Sequence, residues 1–578
     1  MHFSSGGRTH TAPFLLGYMP SNRKMKAFLQ IIGITGLACI LPQSLAAPCI
    51  APPASHRAAI QALQRWIQEE ARRKNLPALS IAVVEGQKTI WAQGFGYADR
   101  DRKVEAAADT VYRVGSVSKL FTDIAIMQLV EKGRLDLDAP ITTYLPEFHP
   151  KSPFDKKITL RQLMAHRSGL VREPPVGNYF DAGGAALKQT VASLNQTSLV
   201  YEPETKTKYS NAALAVVGYV LEKTQKEPFA EYLHRRVLKP LAMADSAFGP
   251  RPELTKRLAK AVMWSYERPD FPAPTFELGM APAGSMYSTV VDLAAFIRCL
   301  LRDGRPILKP ETLKQMLQLQ FADDNAKSGF GLGFYIEERN GKRCVGHSGA
   351  IYGFATELAI LQDEQLGVVV TTSRDGANGI IRRIADETLR TMLAVRDKKP
   401  LPPLIHTSEI VPEQREKLTG YYRAGDKHFE IQHHNGKLWL WYRGLRLELR
   451  SLDGKIVADD VLHFGLELVP AGNNLKLSDT LFERTAKKNP RPPDHWRGLI
   501  GEYGPDHNVL FIFEKDGTLY ALIEWFFLYP LEEIDNNTYR FPDYGLYHGE
   551  RMIFKRDAQE KATEVIAASV RMSRRQKE

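Results

Sequence analysis

The sequence predicts an α+β domain followed by two small all-β, barrel-like modules. Three observations carry this. Helix-period and strand-like apolar patterns intermix between residues 55 and 398. A proline-rich stretch, Lys399-Pro400-Leu401-Pro402-Pro403, then closes that region. Beyond it the pattern is β-rich and repeats with an offset of 81 residues.

The 578 residues are long for one domain. Hydrophobic residues at 44% and charged residues at 25% are ordinary for globular protein. The formal charge is +11; residues 1–46 hold Arg8, Arg23, Lys24 and Lys26 and no acid, so +7 remains without them. That charge is spread thinly, which argues against nucleic-acid binding. Residues 1–46 read as an upstream extension and a signal peptide starting at Met25. Lys26 opens it, Ala27 to Leu41 is uncharged and apolar, and Ser44-Leu45-Ala46 supplies small residues for cleavage. The run is short for a membrane span, which needs about 20 apolar residues. A periplasmic or secreted location follows, with no stable membrane span after signal removal. Cys49, Cys299 and Cys344 form no C-x-x-C pair. They indicate no metal site, and a Cys299–Cys344 bridge stays open.

Ala58 to Arg73 reads as a helix with Ile60, Leu63 and Ile67 on one face. Leu79 to Val84 and Ile90 to Gly96 read as a strand hairpin. Next comes Ser116-Val117-Ser118-Lys119, opening an amphipathic helix with Leu120, Phe121, Ile124, Met127 and Val130 apolar. Residues three apart share a helix face, so Lys119 would lie beside the Ser116 hydroxyl. A serine is a weak nucleophile without a base, and a lysine with a desolvated amine can be that base. The spacing is weak by itself, since Ser21-Asn22-Arg23-Lys24 has it too. Thr159 to Leu170 reads as another helix, closing on Gly169.

Tyr209-Ser210-Asn211 precedes a helix from about Ala212 to Lys223. In an extended segment Tyr209 and Asn211 face the same way. A tyrosine beside a cationic lysine can have a lowered pKa and act as a base, and asparagine offers donor and acceptor. Equally, the tripeptide reads as a core tyrosine and a helix N-cap. His347-Ser348-Gly349 lies among strands at 330–336, 356–361 and 366–372. His347 is expected on a strand edge facing the cleft, and Gly349 would admit a substrate backbone. The backbone N–H groups of Ser116 and Ala350 could then hold an oxyanion.

Ser116-x-x-Lys119, Tyr209-x-Asn211 and His347-x-Gly349, in that order, resemble the penicillin-recognising serine hydrolases. The nearest group is the class C β-lactamase-related esterases, D-aminopeptidases and DD-peptidases. The phrases Tyr112-Arg113-Val114-Gly115, His166-Arg167-Ser168-Gly169-Leu170 and Ala283-Gly284-Ser285 agree. The resemblance implies a β-lactamase/transpeptidase-like fold over 55–398: an antiparallel sheet flanked by helices, beside an all-helical subregion. It implies Ser116, Lys119 and Tyr209 as catalytic residues, Asn211, His347 and Gly349 as substrate-positioning, and no cofactor. The substrate would be a small molecule or peptide: a D-aminoacyl peptide, a cell-wall peptide or a small ester. Histidine at 347, where class C β-lactamases usually carry lysine, points toward the aminopeptidase and esterase branches and only weak β-lactam hydrolysis. Glu204 stands where many relatives have glycine. The competing expectation is a catalytically silent sensor or binding protein for β-lactams or cell-wall peptides.

In the C-terminal part Leu418 to Tyr422 matches Leu499 to Tyr503, and Asn435-Gly436 matches Asp516-Gly517. These pairs predict hairpin turns inside two related modules, 405–486 and 494–575, linked by Asn489-Pro490-Arg491-Pro492-Pro493. The layout is similar to the D-aminopeptidase branch. There it implies a module loop that reaches the cleft and limits substrate size; a structural or partner-binding role stays open. The tail from Arg571 reads as helix-like.

Overall fold

The computed structural model describes residues 49–266, 268–487 and 490–576. The expected signal peptide lies outside the described residues. The first helix, α1 (Arg57–Arg73), buries Ile60, Leu63 and Ile67, and Trp66 joins them. An eight-stranded antiparallel sheet forms the frame. Its strands are β1 (Ala78–Glu85), β2 (Lys88–Asp99), β3 (Val104–Glu105), β4 (Gly329–Phe330), β5 (Tyr335–Arg339), β6 (Lys342–Ile351), β7 (Phe354–Leu361) and β8 (Leu366–Thr372). Their order is β3-β2-β1-β8-β7-β6-β5-β4. Every residue of β7 and β8 is buried, because helices cover both faces. One face packs on α1 and the C-terminal helix of this domain, Asn378–Arg396. The other meets the helical subregion in a larger core.

Three details of this domain differ from the expectation, and one question the sequence left open, the Cys299–Cys344 bridge, is answered. The helix after Ser116, α2 (Ser118–Val130), has no solvent face: Ser118 through Leu129 are all buried, Asp123 and Gln128 included. It runs inside the larger core, and Gln128 is satisfied there by the carbonyls of Arg236 and Ile307, at 3.1 and 3.0 Å. The helix expected over 159–170 is only α3 (Leu160–Met164). A capping box of Thr159 and Gln162 starts it, and the left-handed backbone of His166 (φ 56°) prevents its continuation. Residues 330–336 form two short strands around a turn, not one. Cys299 and Cys344 are both buried and unbridged.

Glu204 has a structural account. Its φ is 74°, a conformation that favours glycine. Its carboxylate accepts hydrogen bonds from Lys156 Nζ (2.5 Å) and Gln162 Nε2 (2.8 Å), which hold the strained backbone in place.

Beyond the linker, eight strands between Gly420 and Thr485 close into an up-and-down barrel. The second module is not closed. It comprises a four-stranded sheet (Gly501–Pro530) and a five-stranded sheet (Glu532–Ser573), bridged at Tyr503–Arg574. The Leu531 N–H donates to the Leu519 carbonyl at 2.8 Å, one rung past Pro530, and the next strand, Glu532–Asp535, pairs in the other sheet. The tail expected to be helix-like from Arg571 instead begins within a strand, Val570–Ser573. The repeat is nevertheless structural. Asn435-Gly436 (φ 51° and 73°) and Asp516-Gly517 (φ 55° and 73°) make equivalent two-residue turns. Tyr422 donates to the Leu418 carbonyl at 2.9 Å, and Tyr503 to the Leu499 carbonyl at 2.6 Å.

Candidate active site

Ser116 lies in a short 3-10 turn, Gly115–Val117, that leads into α2. Lys119, one turn on, is buried and makes three polar contacts. Its Nζ lies 3.0 Å from Ser116 Oγ, 2.8 Å from Asn211 Oδ1 and 2.7 Å from the Ala283 carbonyl. Burial, aided by the Arg172 guanidinium, lowers its pKa to about 7. Near neutrality the amine is thus substantially uncharged. A neutral amine has two N–H donors, which suit the two carbonyl acceptors and leave its lone pair for the Ser116 hydroxyl.

Asn211 begins the helix Asn211–Gln225, which Ser210 caps by accepting from Ala213 N–H. Its Nδ2 donates to Glu173 Oε1 at 2.7 Å, which fixes its oxygen toward Lys119. Tyr209 precedes the cap. Its ring lies 4.9 Å from Lys119 Nζ and 4.3 Å from the His166 ring, and its hydroxyl faces Ser116. Burial raises the Tyr209 pKa above the ordinary tyrosine value, the reverse of the expected lowering. Desolvation outweighs the opposing effects of Ser116 and the Arg172 guanidinium, so the group is a neutral phenol.

His347 lies on β6 just beyond the last residue paired with β5, since Tyr335 opposes Gly346. From His347 onward one edge of β6 is therefore open. Burial holds its pKa at about 4, so it is neutral. Nδ1 contacts the Ser348 carbonyl, which leaves Nε2 a buried acceptor with no partner among the described residues. A two-residue turn links Ile351 to Phe354, and antiparallel pairs alternate, so the Ala350 N–H points to the open edge. That edge meets the serine turn. A Cβ on Gly115 would stand 2.7 Å from Ala350 N, and one on Gly349 would stand 2.0 Å from the Val114 carbonyl oxygen. Only glycine at both positions lets the two backbones approach so closely.

These groups border a cavity of about 460 Å3 lined by Ser116, Tyr209, Asn211, His347, Gly349 and Ala350. Lys119 lies behind Ser116. Every residue named from sequence is thus in one place. Several neighbours were not foreseen. Glu173 is buried, its pKa raised to about 7 by desolvation, and it is ion-paired with Arg172 at 3.2 Å. Asp123, one turn beyond Lys119, is buried with neither oxygen partnered, and burial pushes its pKa well above the usual carboxylate value. The sequence signal was present in Arg172-Glu173-Pro174-Pro175, two charges before two prolines. Both C-terminal modules also reach the cavity, Leu445 and Leu462 from the barrel and Glu524, Phe526, Phe527 and Leu546 from the second module. Among the described residues, no cluster of three or more His, Cys, Asp or Glu side chains could hold a metal ion.

The family model described as Beta-lactamase matches residues 63–389. The chain belongs to the beta-lactamase family. "Putative beta-lactamase-like 1" of Homo sapiens is 27% identical over 435 residues, 70% of this chain and 84% of that protein. "Protein flp" of Staphylococcus aureus (strain N315) is 26% identical over 315 residues, 54% of this chain and 62% of that protein. Among solved structures, the octameric penicillin-binding protein homologue from Pyrococcus abyssi superposes with a TM-score of 0.55 at 24% identity, covering 73% of this chain and 99% of its own. The D-amino acid amidase from Ochrobactrum anthropi SV3 does so with a TM-score of 0.51 at 23% identity, covering 58% and 99%. Both likenesses are of fold. In this beta-lactamase-family chain the match ends before the linker, so the family hit does not include the two β modules that wall the cavity. No helix among the described residues is long and apolar enough to cross a membrane.

Proposed function

We propose that the protein is an exported serine hydrolase that opens amides or esters through an acyl-enzyme on Ser116. The substrate class is an aminoacyl or cell-wall peptide amide or a small ester, with β-lactams as poor substrates. The observation that carries this reading is the three-way contact of Lys119, whose amine is both lowered in pKa and directed at the serine. Lys119 takes the Ser116 proton as Oγ bonds to the substrate carbonyl carbon. The Ser116 and Ala350 N–H groups hold the oxyanion. Tyr209, a neutral phenol, donates its proton to the departing nitrogen or oxygen and is reprotonated from Lys119. Water then attacks the ester along the reverse path and returns a proton to Ser116 Oγ. Asn211 and Glu173 keep the lysine aligned, and His347 Nε2 offers an acceptor for a substrate N–H. Aromatic walls from Tyr179, Phe330, Tyr352 and Phe526 suit an apolar side chain on the acyl group.

The pH profile tests the base. Lys119 is competent when deprotonated, so kcat/KM on an activated ester should rise as pH increases through about 7 and then level. Glu173 titrates in the same range. In Glu173→Gln the limb should remain; its disappearance there would assign it to Glu173 and remove Lys119 as the base.

Gly349→Ala tests the oxyanion geometry. The added methyl has no space against the Val114 carbonyl, so β6 must move away from the serine turn. Turnover of the same ester should fall about a hundredfold, while circular dichroism stays native. Unchanged turnover would exclude Ala350 as an oxyanion donor. Export is tested by intact mass of the protein recovered outside the cytoplasm, which should begin at Ala47.

A further inference from the structure

A second cavity, about 800 Å3, lies between the two C-terminal β modules. Leu445 lines both it and the catalytic cavity, but neither Ser116, Lys119 nor Tyr209 reaches it. Its size is within the range of ligand sites, which favour the junctions between modules. The junction is built: Lys487, in the linking segment, bridges Glu430 of the barrel at 2.8 Å and Asp516 of the second module at 2.6 Å.

The lining combines aromatic rings with balanced charge. Tyr421, Trp441 and Tyr442 come from the barrel and Tyr520 and Tyr544 from the second module, all half-buried. Lys515 Nζ lies 4.8 Å from the Trp441 ring and the Arg443 guanidinium 4.9 Å from the Tyr544 ring, which orients both cations along the groove. Lys427, Arg443, Lys487 and Lys515 face Asp426, Glu430, Asp516 and Asp543, so the formal charges cancel. A zero sum gives no drive for a polyanion or a polycation. Amphipathic rings with a polar edge, set among both donors and acceptors, match a ligand with apolar C–H faces and many hydroxyls.

We propose that this groove binds an uncharged oligosaccharide, its rings stacked on Trp441 and Tyr520 and its hydroxyls on the flanking charges. The site is independent of the Ser116 chemistry. Calorimetric titration of the full chain with neutral tetrasaccharides of N-acetylglucosamine, glucose and mannose, at millimolar concentration, tests it. At least one should bind, and Trp441→Ala and Tyr520→Ala should each weaken it about tenfold. Both variants should turn over an activated ester at the wild-type rate. If Trp441→Ala does not fold, Tyr544→Ala on the opposite wall takes its place. No binding of any neutral saccharide would overturn the proposal. So would undiminished affinity in the variants, or tighter, salt-sensitive binding of a sulfated saccharide.

Discussion

Ser116→Ala is expected to lower kcat/KM by about four orders of magnitude or more and to abolish any covalent adduct. The side chain lies at the cavity surface, in a turn whose backbone is fixed by Gly115 and by contact with β6, so its loss removes the proposed nucleophile and little else. Intact-mass analysis with a penicillin and an activated ester, wild type beside variant, reads this directly. An adduct in the wild type that forms and decays shows a full hydrolytic cycle. An adduct that never decays with either compound would convert the reading to a sensor, and an adduct that persists in Ser116→Ala would place the nucleophile elsewhere. Residual turnover in the variant should come from the oxyanion donors and substrate positioning alone.

The second large effect lies outside the catalytic groups. Lys208, immediately before Tyr209, is fully buried and meets Glu550 of the second module at 2.7 Å. Lys208 Nζ also donates to the carbonyls of Leu546 (3.1 Å) and His548 (2.8 Å). Glu550 in turn accepts the backbone N–H of Arg172 at 3.2 Å. One loop therefore holds both the segment carrying Tyr209 and the segment carrying Glu173. Burial pushes the Lys208 pKa down and the Glu550 pKa up, against their mutual attraction, so the pair is needed to keep either charge inside. Lys208→Met leaves Glu550 unpaired and should cost about 3–5 kcal/mol of stability. It should also lower kcat, because the segment carrying Tyr209 loses its fastening. Glu550→Gln, which retains an acceptor for Arg172, should be milder in both denaturant midpoint and kcat. If Lys208→Met lowered stability but left kcat unchanged, the loop would be a fastening without influence on Tyr209.

The parts legible in the sequence were those encoded within a few residues. Ser116-x-x-Lys119 specifies a face of a helix, Tyr209-x-Asn211 a side of an extended segment, and Asn435-Gly436 with Asp516-Gly517 two turns. Each survives because local geometry determines it. What was missed depends on distant chain. Asp123 and Gln128 look like a solvent face because their type is polar, yet α2 is enclosed on all sides. The Tyr209 pKa moves opposite to the expected direction because burial, which no short motif reveals, exceeds the effect of neighbouring charge. The helix over 159–170 stops early because His166 accepts the Ser210 N–H through Nδ1 in a left-handed backbone. The division of the second module into two sheets depends on which strands pair at Leu531–Glu532, and no local motif encodes that.

The grip of Glu550 on Arg172 and Lys208 also sets an order in time. The chain is made from its N-terminus, so Ser116, Lys119 and Tyr209 emerge hundreds of residues before the loop that secures them. A nascent or truncated chain carries Ser116 and Lys119 without the contacts that fasten the segment of Tyr209. If Ser116 and Tyr209 act as proposed, full activity is expected only once synthesis is nearly finished, and a chain truncated before Glu550 should be less active.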